Sequence, residues 1–136
     1  MFFKSTDCID IFPSNSASHF HVKLPETFRF KKQKHLCALI ELRVPLVLND
    51  VDSLLFMTNF ITENYVGDKK LPVLHRCFIT DWNSLCLEKQ HVAVYMDVKD
   101  IDTEIIEISV VDSDTLDYVQ FADGILYCGF DIIHKH

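Results

Sequence analysis

Apolar and polar residues alternate along most of this chain, in short segments cut by turn residues. A period of two places successive side chains on opposite faces of a strand. His19 to Leu24 is the cleanest case: Phe20, Val22 and Leu24 face one side, and His19, His21 and Lys23 the other. Pro25 ends that segment, and Thr27-Phe28-Arg29-Phe30 reads as a short further strand. His35 to Val44 is more apolar, with Leu36, Ala38, Ile40 and Leu42 set against Cys37, Leu39, Glu41 and Arg43. That pattern suits a central strand covered on most of both faces. Further strands are expected over Ser53 to Thr62, Pro72 to Ile79, His91 to Met96 and Thr103 to Val111. In the last of these, Glu104, Ile106, Ile108 and Val110 share one face and Ile105, Glu107, Ser109 and Val111 the other. Thr6 to Phe12 alternates in part and stops at Pro13.

Turns punctuate these segments at Ser14-Asn15-Ser16, at Asn64 with Gly67-Asp68, and at Asp112-Ser113-Asp114. Asp81-Trp82-Asn83-Ser84 reads as loop. Asp123-Gly124 is a hairpin or bulge signal, expected to join Tyr118–Phe121 to Gly124–Ile133 as a terminal pair. No stretch holds a helical period, and Asp50 to Phe60 is the nearest approach to one. Eight to ten short strands at this spacing predict an all-β fold: a single jelly-roll β-sandwich of about eight antiparallel strands. Residues 1–136 form one expected domain, with 1–5 as a candidate mobile N-terminal arm. Phe2 and Phe3 on that arm would either fold back on the core or dock on a neighbouring subunit.

Composition narrows the function. At 136 residues and 49% hydrophobic, with 11 Phe, the chain can bury a proper core. Its net charge of −7 argues against a nucleic-acid surface, which needs clustered Lys and Arg. The single basic run, Arg29 to Lys34, reads as a solvated loop. The five Cys include no CxxC clip, and no signal peptide or glycosylation sequon is evident. Free thiols serving as small core residues, in a protein made inside the cell and not secreted, are therefore expected. No apolar stretch is long enough to span a bilayer.

The one catalytic-looking pattern is His19-x-His21 followed by Glu26. Residues i and i+2 of a strand share a face, so two imidazoles could converge on one metal. The spacing resembles the first half of the cupin metal motif. The glycines that flank that motif are absent, and Gly67 to His75 matches its second half only poorly. His19 and His21 are accordingly read as the wet face of a strand. His134-x-His136 reads as a solvated chain end, and Asp112-x-Asp114-x-x-Asp117 as a turn lacking the Gly and Glu of a calcium loop. Glu41, set among apolar neighbours, would need a partner such as Arg43, Arg76 or a backbone donor. No nucleophile elbow or phosphate loop is present. No catalytic, cofactor-binding or metal residue is assigned, no cofactor is expected, and the chain is read as a non-enzyme.

Four ordered blocks carry a family resemblance. They are Phe12-Pro13-Ser14-Asn15 with Ser18-x-Phe20-x-Val22-x-Leu24-Pro25-Glu26; Leu36 to Leu42 with Pro45; Leu54 to Ile61 with Val66-Gly67-Asp68 and Leu71 to Arg76; and Ile105 to Val110 with Val119 to Gly124. In this order the chain resembles the minor capsid (penton) proteins of adintoviruses and Polinton/Maverick elements. The resemblance implies a single jelly roll forming homopentamers at the vertices of an icosahedral double-stranded DNA virus shell. Its partners would be itself and the double-jelly-roll major capsid protein, and its location the virion. It implies no catalytic residue. The alternatives are a cupin-like metal-dependent enzyme using His19, His21 and Glu26, and a monomeric β-sandwich ligand-binding module.

Overall fold

The computed structural model describes residues 1–29, 35–48, 50–78, 86–89, 93–99 and 102–134. Phe30 to Lys34, Ile79, the loop expected at Asp81 to Ser84 with Trp82, His91, Val92 and His136 lie outside them. Eleven strands are described: β1 (Phe2–Lys4), β2 (His19–Arg29), β3 (His35–Val44), β4 (Ser53–Thr58), β5 (Asn64–Val66), β6 (Lys69–Leu71), β7 (Val73–Phe78), β8 (Cys86–Lys89), β9 (Met96–Asp97), β10 (Asp102–Asp112) and β11 (Tyr127–His134). There is no helix among the described residues.

Two antiparallel sheets form the sandwich. One has the order β1-β11-β3-β8, with β9 also on β3, and the other β2-β10-β4-β7. The small hairpin β5-β6 stands apart. The pairing is nested: β1 with β11, β2 with β10, β3 with β8 and β4 with β7, all antiparallel. The chain is thus one long hairpin whose arms are folded over, and the fold closes where β11 meets β3 and β10 meets β4. That is the double Greek key of a single jelly roll, with the eight antiparallel strands expected.

The hydrophobic faces meet between the sheets. Phe20, Val22 and Leu24 from β2, Ile106, Ile108 and Val110 from β10, and Leu54 and Phe56 from β4 pack against Cys37, Leu39, Leu42, Cys128 and Phe130. The alternation read from β2 is the alternation observed. In β10 it holds for Ile106, Ile108 and Val110, whereas Glu104 is exposed and Val111 buried, against the faces expected for them. In β3 it does not hold. The register against β11 slips between Gly129 and Phe130, so Ile40 is an extra residue on β3. This bulge resets the side-chain parity. Cys37 and Leu39 point inward before it, and Leu42 and Val44 after it. Glu41 is exposed as a result, and the buried partner expected for it is not required.

Other expectations are corrected. Thr6 to Ile11 is a run of turns, with Ile11 and Phe12 both donating to the Cys8 carbonyl. Phe2 to Lys4 is an edge strand on β11, not a mobile arm, and the Phe3 ring packs 5.7 Å from that of Phe130. Pro25 does not end β2. The strand continues to Arg29 through an irregular stretch opposite Thr103–Ile105. An edge strand tolerates a proline there, because no ladder partner is owed on its outer side. Tyr118 to Phe121 is not a strand paired with β11. It makes isolated bridges, Val111 to Tyr118 and Val47 to Phe121, while crossing from one sheet to the other. Asp123-Gly124 is a bend in that crossing. A Cβ on Gly124 would stand 3.1 Å from the Pro45 ring, so a close approach is what this glycine permits.

Cys37 and Cys128 are buried free thiols, as the composition led us to expect. Burial pushes the Cys37 thiol up to about 12, and burial raises Cys128 as well. At pH 8 only about one Cys37 in ten thousand is then a thiolate. Cys8 is half-exposed. Brief iodoacetamide treatment at pH 8 followed by peptide mass mapping should label Cys8 and spare Cys37 and Cys128. Equal labelling of all three in folded protein would contradict this packing.

Candidate functional site

The outer face of the β2-β10-β4-β7 sheet carries the most concentrated chemistry among the described residues. Its position follows from the β2 and β10 alternation. With Phe20 and Val22 in the core, His19 and His21 must stand outside, and with Ile106 and Ile108 inside, so must Glu107. The register sets Glu107 directly opposite His21 and Ser109 opposite His19. One carboxylate therefore sits between two imidazoles. His19 Nε2 lies 3.0 Å from Glu107 Oε1, and His21 Nε2 lies 3.4 Å from Oε2. One donor atom from each of the three side chains falls within 4.8 Å of the others.

Neighbouring residues hold this arrangement. The His19 ring stacks on Tyr118, with centroids 4.8 Å apart and planes 14° from parallel. The His21 ring lies 5.2 Å from Phe12. Asn15 clamps the backbone of His21 from both sides: its amide donates to the carbonyl, and its Oδ1 accepts from the N–H, each at 2.9 Å. Ser16 Oγ accepts from the His19 N–H. On the other strand Asn59 Oδ1 accepts from the Glu107 N–H at 3.1 Å, and the Asn59 N–H donates to the Glu107 carbonyl. A groove of about 270 Å³ opens beside the cluster, lined by Met57, Thr58, Asn59, Ser109 and Tyr118, with Glu107 in its wall. The buried hydroxyl of Thr58 has no hydrogen-bond partner in the protein.

The sequence pattern pointed to His19 and His21 but to the wrong carboxylate. Glu26 follows His21 by five residues, a rise of up to about 16 Å along an extended strand. It lies in the irregular stretch of β2 between the paired residues Lys23 and Phe28. Glu107 comes from the neighbouring strand, 86 positions after His21 in sequence, so no local spacing could reveal it. Pairing β2 with β10 would have found it, since the alternation in both strands is legible.

The remaining candidates resolve as structure. Asp112 is buried, and its Oδ1 accepts from the Asp114 N–H at 2.8 Å, an Asx turn that reverses the chain as read. Leu116 in the same turn has φ of 63°. His134 is placed on the end of β11 with its ring 4.6 Å from that of His35.

A second concave region lies where the β1–β2, β3–β4 and β10–β11 connections meet. Leu48 donates to the Gln120 carbonyl, Ala122 to that of Leu46, and Val110 to that of Ser18. These links frame an open cavity of about 630 Å³ lined by Ala17, Leu48, Tyr118 and Phe121. Leu48 is 63% exposed at its rim. No helix of the described residues is long and apolar enough to cross a membrane. Comparison with protein-family models, curated proteins and solved structures returned no match.

Proposed function

We propose that this chain is a structural shell subunit: a vertex (penton) protein of an icosahedral double-stranded DNA virus of the adintovirus or Polinton/Maverick type. It assembles as a homopentamer and fits among double-jelly-roll major capsid proteins in the virion. The observation that carries the reading is the nested strand order. A chain whose four sequence blocks resemble that family folds as a single jelly roll, an architecture common in capsid subunits.

The surface agrees with a role in contact. Large apolar side chains stand exposed on the connections and strand ends, among them Ile11, Leu48, Tyr65 and Phe78. Apolar exposure of this kind is costly in water and is relieved by a partner. A closed ring of subunits would cover such residues and fix the copy number. The acidic charge suits contact with a basic neighbour and keeps free subunits apart until then.

The metal-enzyme alternative draws on the same His19 and His21, but both point away from the sandwich interior and lie on an open face. A substrate site is ordinarily a deep, mostly apolar cavity that buries its ligand, and the groove beside Glu107 is shallow and small. The genome around the coding sequence gives the first test. A nearby double-jelly-roll capsid gene, packaging ATPase or maturation protease is expected. A setting of metabolic genes alone would speak for the enzyme.

A further inference from the structure

We propose that His19 Nε2, His21 Nε2 and the Glu107 carboxylate form a binding site for one divalent first-row transition metal ion, with Zn²⁺ as the best fit, on the outer face of the β2-β10-β4-β7 sheet. Two neutral imidazoles and a carboxylate are the donor set zinc takes where three protein ligands leave a further position open. Ligand atoms at about 2.0–2.2 Å from a tetrahedral ion stand about 3.3–3.6 Å from each other. His19 Nε2 stands 3.0 Å from one Glu107 oxygen and His21 Nε2 3.4 Å from the other, and one donor atom from each of the three side chains lies within 4.8 Å of the rest. Drawing these donors inward would place one ion among them.

The supporting shell is that of a built site. A useful metal site needs ligands whose positions are fixed before the ion arrives. Here the Asn15 and Asn59 side chains pin the strands that carry His21 and Glu107, and Tyr118 and Phe12 limit rotation of the two rings. Among the described residues no Lys or Arg is ion-paired with Glu107. Its ion-pair partners among the described residues are the two imidazoles. The net charge of −7 adds a favourable field for a cation. Glu107 forms part of the wall of the 270 Å³ groove, beside Ser109 on the same strand. A water or a carboxylate from outside the chain can complete the shell there.

The test is calorimetric titration of the full chain with ZnCl₂, paired with visible absorption of the Co²⁺ form. One ion per chain is expected, with the intense ligand-field bands of a four-coordinate Co²⁺ site. His21→Ala should weaken binding by about 100-fold or more and abolish those bands, beyond the 10–100-fold that loss of a supporting residue costs. Glu107→Gln should weaken it by at least about 10-fold. Glu26→Gln and His134→Ala should leave it unchanged, the latter controlling for capture by the His35–His134 pair. Thermal midpoints in EDTA check that each variant is folded. Absence of zinc binding overturns the proposal. So does binding that survives His21→Ala and Glu107→Gln, or that is lost with Glu26→Gln or His134→Ala.

Discussion

Phe130→Ala is expected to destabilise the protein by about 3–5 kcal/mol, the usual cost of emptying a large aromatic site in a core. Phe130 is fully enclosed and stands at the junction of three strand systems. Its ring lies 5.7 Å from Phe3 on β1, 5.9 Å from Phe56 on β4 and 5.9 Å from Phe60 beyond it. It therefore joins the two sheets and ties in the edge strand. Phe56 is held in a central strand and Phe60 in the turn that follows it, so the void closes only in part. A domain of this size has only about 5–15 kcal/mol in total, so the variant sits near the limit of stable folding. Urea denaturation would show it as a midpoint lowered by about 2 M, taking a slope of roughly 1–3 kcal/mol/M. A loss below about 1 kcal/mol would mean that the sheets do not meet at Phe130.

Removal of residues 1–4 is expected to cost about 2–4 kcal/mol and to promote self-association. Two terms set the size. The half-buried Phe3 ring is worth roughly 1–2 kcal/mol of apolar contact. The ladder from Phe2 to Lys4 against β11 and the Phe130 N–H bond to the Met1 carbonyl add net hydrogen bonds of about 1 kcal/mol each, offset by the entropy of ordering the strand. Self-association follows because β11 would be left with a bare edge, and an unpaired edge is a template for another chain. The measurement is thermal unfolding beside light scattering over a concentration series. A mobile arm, by contrast, could be removed with no change in midpoint and no scattering, and that result would contradict the strand assignment.

How much of this was legible in the sequence differs by element. In β2 and β10 each strand has one wet and one dry face, and the plain alternation of Phe20, Val22 and Leu24, and of Ile106, Ile108 and Val110, gave the correct inward residues. β3 hid its parity, because both of its faces are largely apolar and the bulge at Ile40 leaves no compositional mark. β1 spans only three residues, too few for a period to register, and it is a strand because β11 offers it an edge. Thr6 to Phe12 alternated and still became turns: its backbone closes on itself through the Thr6 and Cys8 carbonyls instead of joining the edge of β2. Tyr118 to Phe121 failed for a related reason: its apolar residues seal the crossing between the sheets and do not extend either one.

The metal-ligating cluster shows the same boundary more sharply. His19 and His21 are a local pattern and were visible. Glu107 was equally visible as an outward residue of β10, but nothing in the sequence said which strand lies beside β2. Local spacing favoured Glu26 instead, because a motif is read along the chain while a sheet brings side chains together across it. The bracing by Asn15 and Asn59 was hidden for the same reason: each side chain meets backbone that is fixed only once the sandwich has closed.

The central claim is assembly, and the most direct measurement is mass in solution, by native mass spectrometry and sedimentation over a range from micromolar to near-millimolar chain. The account predicts a closed ring of about 79 kDa, five copies of the 15.8 kDa chain, with no larger open-ended series. A single 15.8 kDa species across the whole range, or an unbounded ladder of oligomers, would contradict it.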